Sequence, residues 1–173
     1  MRETGTLVLG VGNPLRGDDG ADPAVVEWLR GQGVPDGVAL IDGGTTGLDL
    51  VTALAGYRRA FIVDAANVGR APGEWLRFTA DALRSVDGEP ALSLHAAGLG
   101  DALSLAEALG VLPEQVTIYG VQPAHVDWSP GLSAEVQKAV PAVGRALLRE
   151  LAQVIDRRLS YHLEPGELQD SRL

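Results

Sequence analysis

The sequence predicts a three-layer α/β domain in which helices cover both faces of a mostly parallel central sheet of about five strands. Short apolar runs of strand length alternate along the chain with stretches of helical period. We expect one domain over residues 1–156 and a mobile tail over 157–173, where proline, glycine and charged residues occur without periodicity.

Local signals define the individual elements. The run at 74–79 alternates polar and apolar residues, which predicts a half-exposed edge strand. Asp22 followed by Pro23 predicts a helix N-cap with proline at the first helical position, and Pro141 predicts a kink or break near Val140. The strands are expected at 6–10, 38–42, 60–65, 74–79 and 116–121, and the helices at 22–32, 47–55, 98–109 and 133–156.

The composition argues against several classes of function. The chain has no cysteine, which excludes disulfides, thiolate metal sites and a cysteine nucleophile. Its net charge of −9 argues against nucleic acid or an anionic membrane as the main partner. No apolar run approaches the roughly 20 residues of a membrane span, and the first residues lack the apolar core of a secretory signal. We therefore expect a cytoplasmic protein with no membrane role.

Several common catalytic motifs are also missing. Gly10-Val11-Gly12 begins like a dinucleotide-binding loop, but Leu15 stands where the third glycine would be. The chain contains no phosphate-binding P-loop, no Gly-x-Ser-x-Gly nucleophile motif and no His-Glu-x-x-His zinc motif. These absences argue against nucleotide-dependent, serine-hydrolase and zincin chemistry.

Residues that could bind a metal follow the predicted strands. Asp18 and Asp19 come after the first strand, Asp64 ends the third, and His95 precedes the helix at 98–109. Because the carboxyl ends of parallel strands face one crevice, we expect Asp19 and Asp64 to converge there. Two carboxylates and an imidazole suit nickel or zinc. The alternatives are that the aspartates cap a turn or hold a backbone amide, and that His95 is an ordinary loop histidine.

An ordered series of short sequence blocks is more specific than any single motif. In chain order the blocks are Gly10-Val11-Gly12-Asn13, Asp18-Asp19-Gly20, Asp42-Gly43-Gly44-Thr45, Val63-Asp64-Ala65, Ser93-Leu94-His95, Gly120-Val121-Gln122-Pro123 and Gly131-Leu132-Ser133. From about residue 6 to 150, this series resembles the NiFe-hydrogenase maturation endopeptidases. The resemblance implies a three-layer α/β fold. It also implies removal of a short carboxy-terminal extension from the hydrogenase large-subunit precursor after nickel insertion.

The resemblance further implies roles for individual residues. The family's metal-contacting acid falls on Asp19, its second carboxylate on Asp64 and its histidine on His95. These three groups are implied to recognise nickel supplied by the substrate rather than a permanently bound metal, with Asp19 or Asp64 as the candidate base. The expected partner is the hydrogenase large-subunit precursor, and the expected state is a monomer. A candidate substrate-binding turn consists of Asp42, Gly43, Gly44 and Thr45. It would either receive the extended substrate tail or simply connect a strand to a helix.

Asp22, the loop residues after position 123 and the overall function each need further interpretation. The family has glycine where this chain has Asp22, and the predicted capping role explains that acid without chemistry. His125 and Asp127 either line the substrate groove or belong to a solvated loop. Two rival functions are a non-catalytic nickel-sensing chaperone of the precursor tail and an α/β hydrolase acting on a small metabolite.

Overall fold

The computed structural model describes residues 5–42, 44, 47–84, 93–94 and 99–162. The strands are β1 Thr6–Gly10, β2 Val38–Asp42, β3 Arg59–Asn67, β4 Trp75–Thr79, β5 Ser93–Leu94 and β6 Gln115–Val121. The helices are α1 Ala21–Gln32, α2 Gly47–Leu54, α3 Ala80–Arg84, α4 Leu99–Ala108 and α5 Ala134–His162.

The sheet is mostly parallel, as predicted. Its strand order is β2-β1-β3-β6-β4, with β5 paired to β3 beside this path. Strands β1, β2, β3 and β6 are mutually parallel, whereas β4 lies at the edge and runs antiparallel to β6. The edge position predicted for the alternating run at 74–79 is therefore confirmed.

Helices cover both faces of this sheet and give it two cores. Alternation along β1 places Val8 in one core and both Leu7 and Leu9 in the other. The core around Val8 is completed by α1 and α5, which contribute residues such as Leu29. The opposite core is completed by α2 and α4, which contribute residues such as Leu54. The three-layer prediction is confirmed.

Helix α5 differs from expectation at two points. It continues unbroken through Pro141, and it extends past the expected end at Asp156 to His162. Proline removes one backbone donor from the helix, but Val140 and Val143 on either side are buried against the sheet and hold the segment in place. Of the predicted kink or break near Val140, the break is therefore absent. The remainder of the expected tail, residues 163–173, lies outside the described residues.

The connections from β1 lead to neighbouring strands on opposite sides of it, and this topology creates a crevice at the carboxyl end of β1. From β1 the chain passes through α1 to β2 on one side, and then through α2 to β3 on the other. The register pairs Gly10 with both Asp42 and Val63, so the residues after these positions lie at the same edge of the sheet. Open α/β sheets bind their ligands in the crevice at such a point. Within the described ranges, no helix is long and apolar enough to span a bilayer.

Candidate active site

Two glycines allow the chain after β1 to fold back tightly. A Cβ on Gly10 would lie 2.8 Å from the carbonyl oxygen of Asp22. A Cβ on Gly12 would overlap the carbonyl oxygen of Asp19 and would lie 2.6 Å from Oδ2 of Asp22. Any larger residue would force α1 away from the strand. The glycine spacing therefore brings Asp19 and Asp22 to the carboxyl end of β1.

Asp18 has a structural role. It lies in a 3-10 turn, Gly17–Gly20, and is fully buried. Its Oδ1 accepts a hydrogen bond from the Ser133 N–H at 2.6 Å, and its Oδ2 accepts bonds from the Ala124 N–H at 2.7 Å, the His125 N–H at 3.3 Å and the Ser133 hydroxyl at 2.9 Å. Burial alone would raise the pKa of the Asp18 carboxyl, but these hydrogen bonds lower it below the usual value. Asp18 thus ties the turn to the loop before α5.

Asp19, the next residue, points elsewhere. Its Oδ2 accepts a hydrogen bond from the Asn13 N–H at 2.9 Å, and the residue is 5% exposed. Asn13 in turn accepts the Leu15 N–H at 2.9 Å, which fixes the tight turn between β1 and the 3-10 turn. The loop therefore positions Asp19 through its Oδ2.

Asp22 and Asp64 are both buried, with 0% exposure. Within the described part of the chain, none of their four carboxylate oxygens accepts a hydrogen bond of normal geometry. The prediction that Asp22 caps α1 is wrong. The N-cap is Gly20, no side chain caps the helix, and Asp22 lies inside the first turn. Its carboxylate is turned inward against Gly12, because the 3-10 turn starts the helix earlier than Pro23 suggested.

Burial and mutual repulsion dominate the electrostatics of this group. Loss of solvent raises the pKa of Asp22 well above its usual value, and the charges of Asp64, Asp19 and Asp42 raise it further. The Ala65 N–H opposes that shift only in part. Burial, followed by the charge of Asp19, likewise raises the pKa of Asp64. The crevice therefore disfavours the ionised form of these two carboxyl groups unless an opposite charge balances it.

The predicted metal ligands are brought together in part. Asp19 and Asp64 interact electrostatically at the end of β1 and β3, as predicted. His95 lies outside the described residues, so its position relative to the two aspartates is not part of this geometry. Among the residues that the structure describes, no group of three or more acidic or imidazole side chains could hold a metal ion.

The predicted substrate turn follows β2 at the same edge. Asp42 is exposed, and its Oδ1 accepts the Gly44 N–H at 3.3 Å. Gly44 has a φ of 60°, a conformation that favours glycine, so this position has the permissive backbone that the sequence suggested. Gly43 and Thr45 lie outside the described residues.

Several exposed residues lie on the turn after β1 and on the loop before α5. Leu15 is 58% exposed and Trp128 is 77% exposed, and the Arg16 guanidinium lies over the Trp128 ring at 5.6 Å. The His125 and Asp127 side chains are also exposed, with Nδ1 and Oδ1 3.5 Å apart. The backbone of His125 nevertheless holds Asp18, so this loop is anchored to the site rather than freely solvated.

The fold and the site together define an α/β protein with a buried acidic crevice at the carboxyl edge of a parallel sheet. Residues 23–150 match the family described as hydrogenase maturation protease. The chain is 35% identical over 147 residues to the hydrogenase expression/formation protein HupD of Rhizobium leguminosarum, covering 84% of this chain and 73% of that protein. It is 32% identical over 157 residues to the hydrogenase 2 maturation protease of Escherichia coli, covering 87% and 95%.

The solved structures agree with the sequence relatives. The hydrogenase maturating endopeptidase HybD from Escherichia coli superposes with a TM-score of 0.73 at 31% identity, covering 87% of this chain and 94% of that chain. This chain belongs to the hydrogenase maturation protease family. Membership of that family supports an endopeptidase role, and the resemblance inferred from the ordered blocks is confirmed.

Proposed function

We propose that this protein removes the carboxy-terminal extension of a NiFe-hydrogenase large-subunit precursor after nickel insertion. In this proposal Asp19, Asp64 and His95 recognise the nickel carried by the substrate. The protein acts in the cytoplasm as a monomer, and nickel arrives with the precursor rather than as a resident cofactor.

The observation that carries the proposal is the buried acid Asp64, which has no hydrogen-bond partner among the described residues and lies beside Asp19 at the crevice. Burying an ionised carboxylate without a partner costs several kcal/mol. A divalent cation in contact with these oxygens would offset that cost, because opposite charges attract strongly where water is excluded. The crevice is therefore suited to a metal ion that arrives with the substrate.

The chemistry proposed for the site is metal-assisted hydrolysis of a peptide bond. The substrate's nickel either polarises the scissile carbonyl or activates the attacking water, and Asp19 or Asp64 accepts the proton. The extended tail would lie along the turn after β2, where the glycine backbone allows close approach. The residues proposed to contact it are Asp42, Gly43, Gly44 and Thr45.

A mass measurement tests this function. We expect incubation with nickel-loaded precursor to yield a shortened large subunit and one released carboxy-terminal peptide. Formation of a stable complex with precursor of unchanged mass would instead favour a nickel-sensing chaperone. Absence of both cleavage and binding would exclude the precursor as the substrate and would direct attention to a small-metabolite hydrolase.

A further inference from the structure

Two exposed apolar residues close to the candidate site have no role in the proposed chemistry. Leu15 lies on the turn between β1 and α1, and Trp128 lies on the loop between β6 and α5 and is 77% exposed. The Arg16 guanidinium lies over the Trp128 ring and joins the two segments. We call the surface formed by Leu15, Arg16 and Trp128 the platform. An exposed tryptophan supported by an arginine is typical of the residues that dominate binding interfaces.

Backbone hydrogen bonds hold the two segments of the platform together. The Gly17 N–H donates to the Ser129 carbonyl oxygen at 2.7 Å, and the Asp18 N–H donates to the His125 carbonyl oxygen at 3.1 Å. Gly17 has a φ of 56°, and a Cβ at this position would lie 2.5 Å from Nδ1 of His125. Because the turn and the loop are already fixed to each other, a partner that binds the platform loses little free energy in ordering it.

The platform is also joined to the acid that is proposed to act in cleavage. The Asp19 N–H donates to the Arg16 carbonyl oxygen at 3.2 Å, and Oδ2 of Asp19 accepts the Asn13 N–H. The Cα atoms of Leu15 and Asp19 are four residues apart in the chain and therefore at most about 15 Å apart in space. An extended peptide of about five residues spans that distance. A protein substrate whose scissile bond reaches Asp19 can therefore contact the platform at the same time.

The order of the strands decides which part of the substrate meets the platform. The order β2-β1-β3-β6 places the turn after β2 on one side of the crevice and the loop after β6 on the other. In the proposed function, the carboxy-terminal extension lies along the turn after β2. The residues before the scissile bond, which stay in the mature large subunit, then lead towards the loop that carries Trp128.

We infer that the platform binds an apolar surface on the part of the large subunit that is retained after cleavage. This inference rests on the function proposed above, and it adds Leu15 and Trp128 to that function as substrate-binding residues. Arg16 supports the Trp128 ring through the cation–π contact. The cleaved large subunit therefore keeps its contact with the platform, whereas the released peptide has none.

Steady-state kinetics with nickel-loaded precursor test the assignment. We expect Trp128→Ala to raise KM at least about tenfold and to change kcat less than about threefold, because the ring contributes to binding rather than to the chemical step. Leu15→Ala should raise KM in the same direction. Leu109→Ala is the matched control and should leave KM unchanged. Leu109 is 61% exposed and lies between α4 and the start of β6, at the opposite edge of the sheet.

Binding of the two cleavage products shows which part of the substrate the platform contacts. Trp128→Ala should raise the Kd for the mature large subunit at least about tenfold and leave the Kd for the extension peptide unchanged. Trp128→Phe keeps a ring beside Arg16 and should give an intermediate Kd. Because these side chains are exposed, the melting temperatures of the variants should stay close to that of the wild-type protein.

The outcomes separate this inference from the proposed function. Unchanged KM and Kd values in a folded Trp128→Ala variant would overturn the assignment and leave the proposed function intact, as would weaker binding of the extension peptide alone. A wild-type protein that binds the precursor without shortening it would contradict the proposed cleavage, and the Kd values of the variants would still decide the role of the platform. A wild-type protein that neither binds nor cleaves the precursor would overturn both.

Discussion

Asp64→Asn is expected to lower the rate of precursor processing by at least about 100-fold while the protein stays folded. Asparagine keeps the shape of the side chain but removes the negative charge and one strong metal-binding oxygen. The wild-type carboxylate has no hydrogen-bond partner to lose in the described part of the chain, so the melting temperature should be unchanged or higher. Rates are measured with nickel-loaded precursor, and folding is measured by circular dichroism.

Asp36→Asn is the matched control for this variant. Asp36 is an exposed aspartate in the turn before β2, far from the carboxyl edge of the sheet. The Asp36→Asn variant should process precursor at the wild-type rate. Near-normal processing by a folded Asp64→Asn variant would remove Asp64 from the site.

Asp18→Ala should produce the largest loss of stability among the acidic residues, about 3–4 kcal/mol. The substitution leaves the N–H groups of Ala124, His125 and Ser133 without their carboxylate acceptor. Because the same turn carries Asp19, processing should fall as well. Denaturant unfolding measures the effect. Asp127→Ala removes an exposed acid from the anchored loop and should change stability by less than about 1 kcal/mol.

The pH dependence of this loss follows from the direction of the pKa shift. The pKa of Asp18 is lower in the folded protein than in the unfolded chain, so its stabilising contribution is complete above the unfolded pKa of about 3.9. That contribution is lost as the pH falls through the folded pKa. The stability difference between the wild-type protein and Asp18→Ala should therefore shrink on acidification below about pH 4. A difference that stays constant down to the acid transition would show that the hydrogen-bonded carboxylate is not its source.

Among the described residues, five of the six strands and four of the five helices could be predicted because their signals are local, whereas the two-residue β5 and the short α3 were not predicted. The apolar runs coincide with β1 and β2, and the alternating run coincides with the edge strand β4. The end of α5 and its passage through Pro141 could not be predicted from the sequence, because the contacts that support a helix across a proline come from the sheet beneath it. The packing of α5 against the sheet offset the helix-breaking tendency of Pro141.

The same distinction applies to the site. The convergence of Asp19 and Asp64 follows from the topology of a parallel sheet, which sequence periodicity predicts. The different surroundings of Asp18 and Asp22 do not follow from the sheet topology. Neighbouring acids on one short segment have the same side-chain chemistry, and only the local backbone determines the direction of each side chain. In the sequence, Asp22 before Pro23 has the pattern of a helix N-cap. The structure places Asp22 inside the first turn of α1, because the 3-10 turn starts the helix earlier. Glycine at positions 10 and 12 was the available signal, since it indicates close approach of the following segment.

The most direct test of the account compares nickel-loaded and nickel-free precursor as substrates for the purified, metal-free protein. In the proposed function, nickel arrives with the substrate rather than as a resident cofactor of the protein. We therefore expect elemental analysis to find no stoichiometric metal in the purified protein, and mass spectrometry to show cleavage of the nickel-loaded precursor alone. One tightly bound zinc per chain together with cleavage of the nickel-free precursor would contradict the account and would indicate an ordinary metalloprotease.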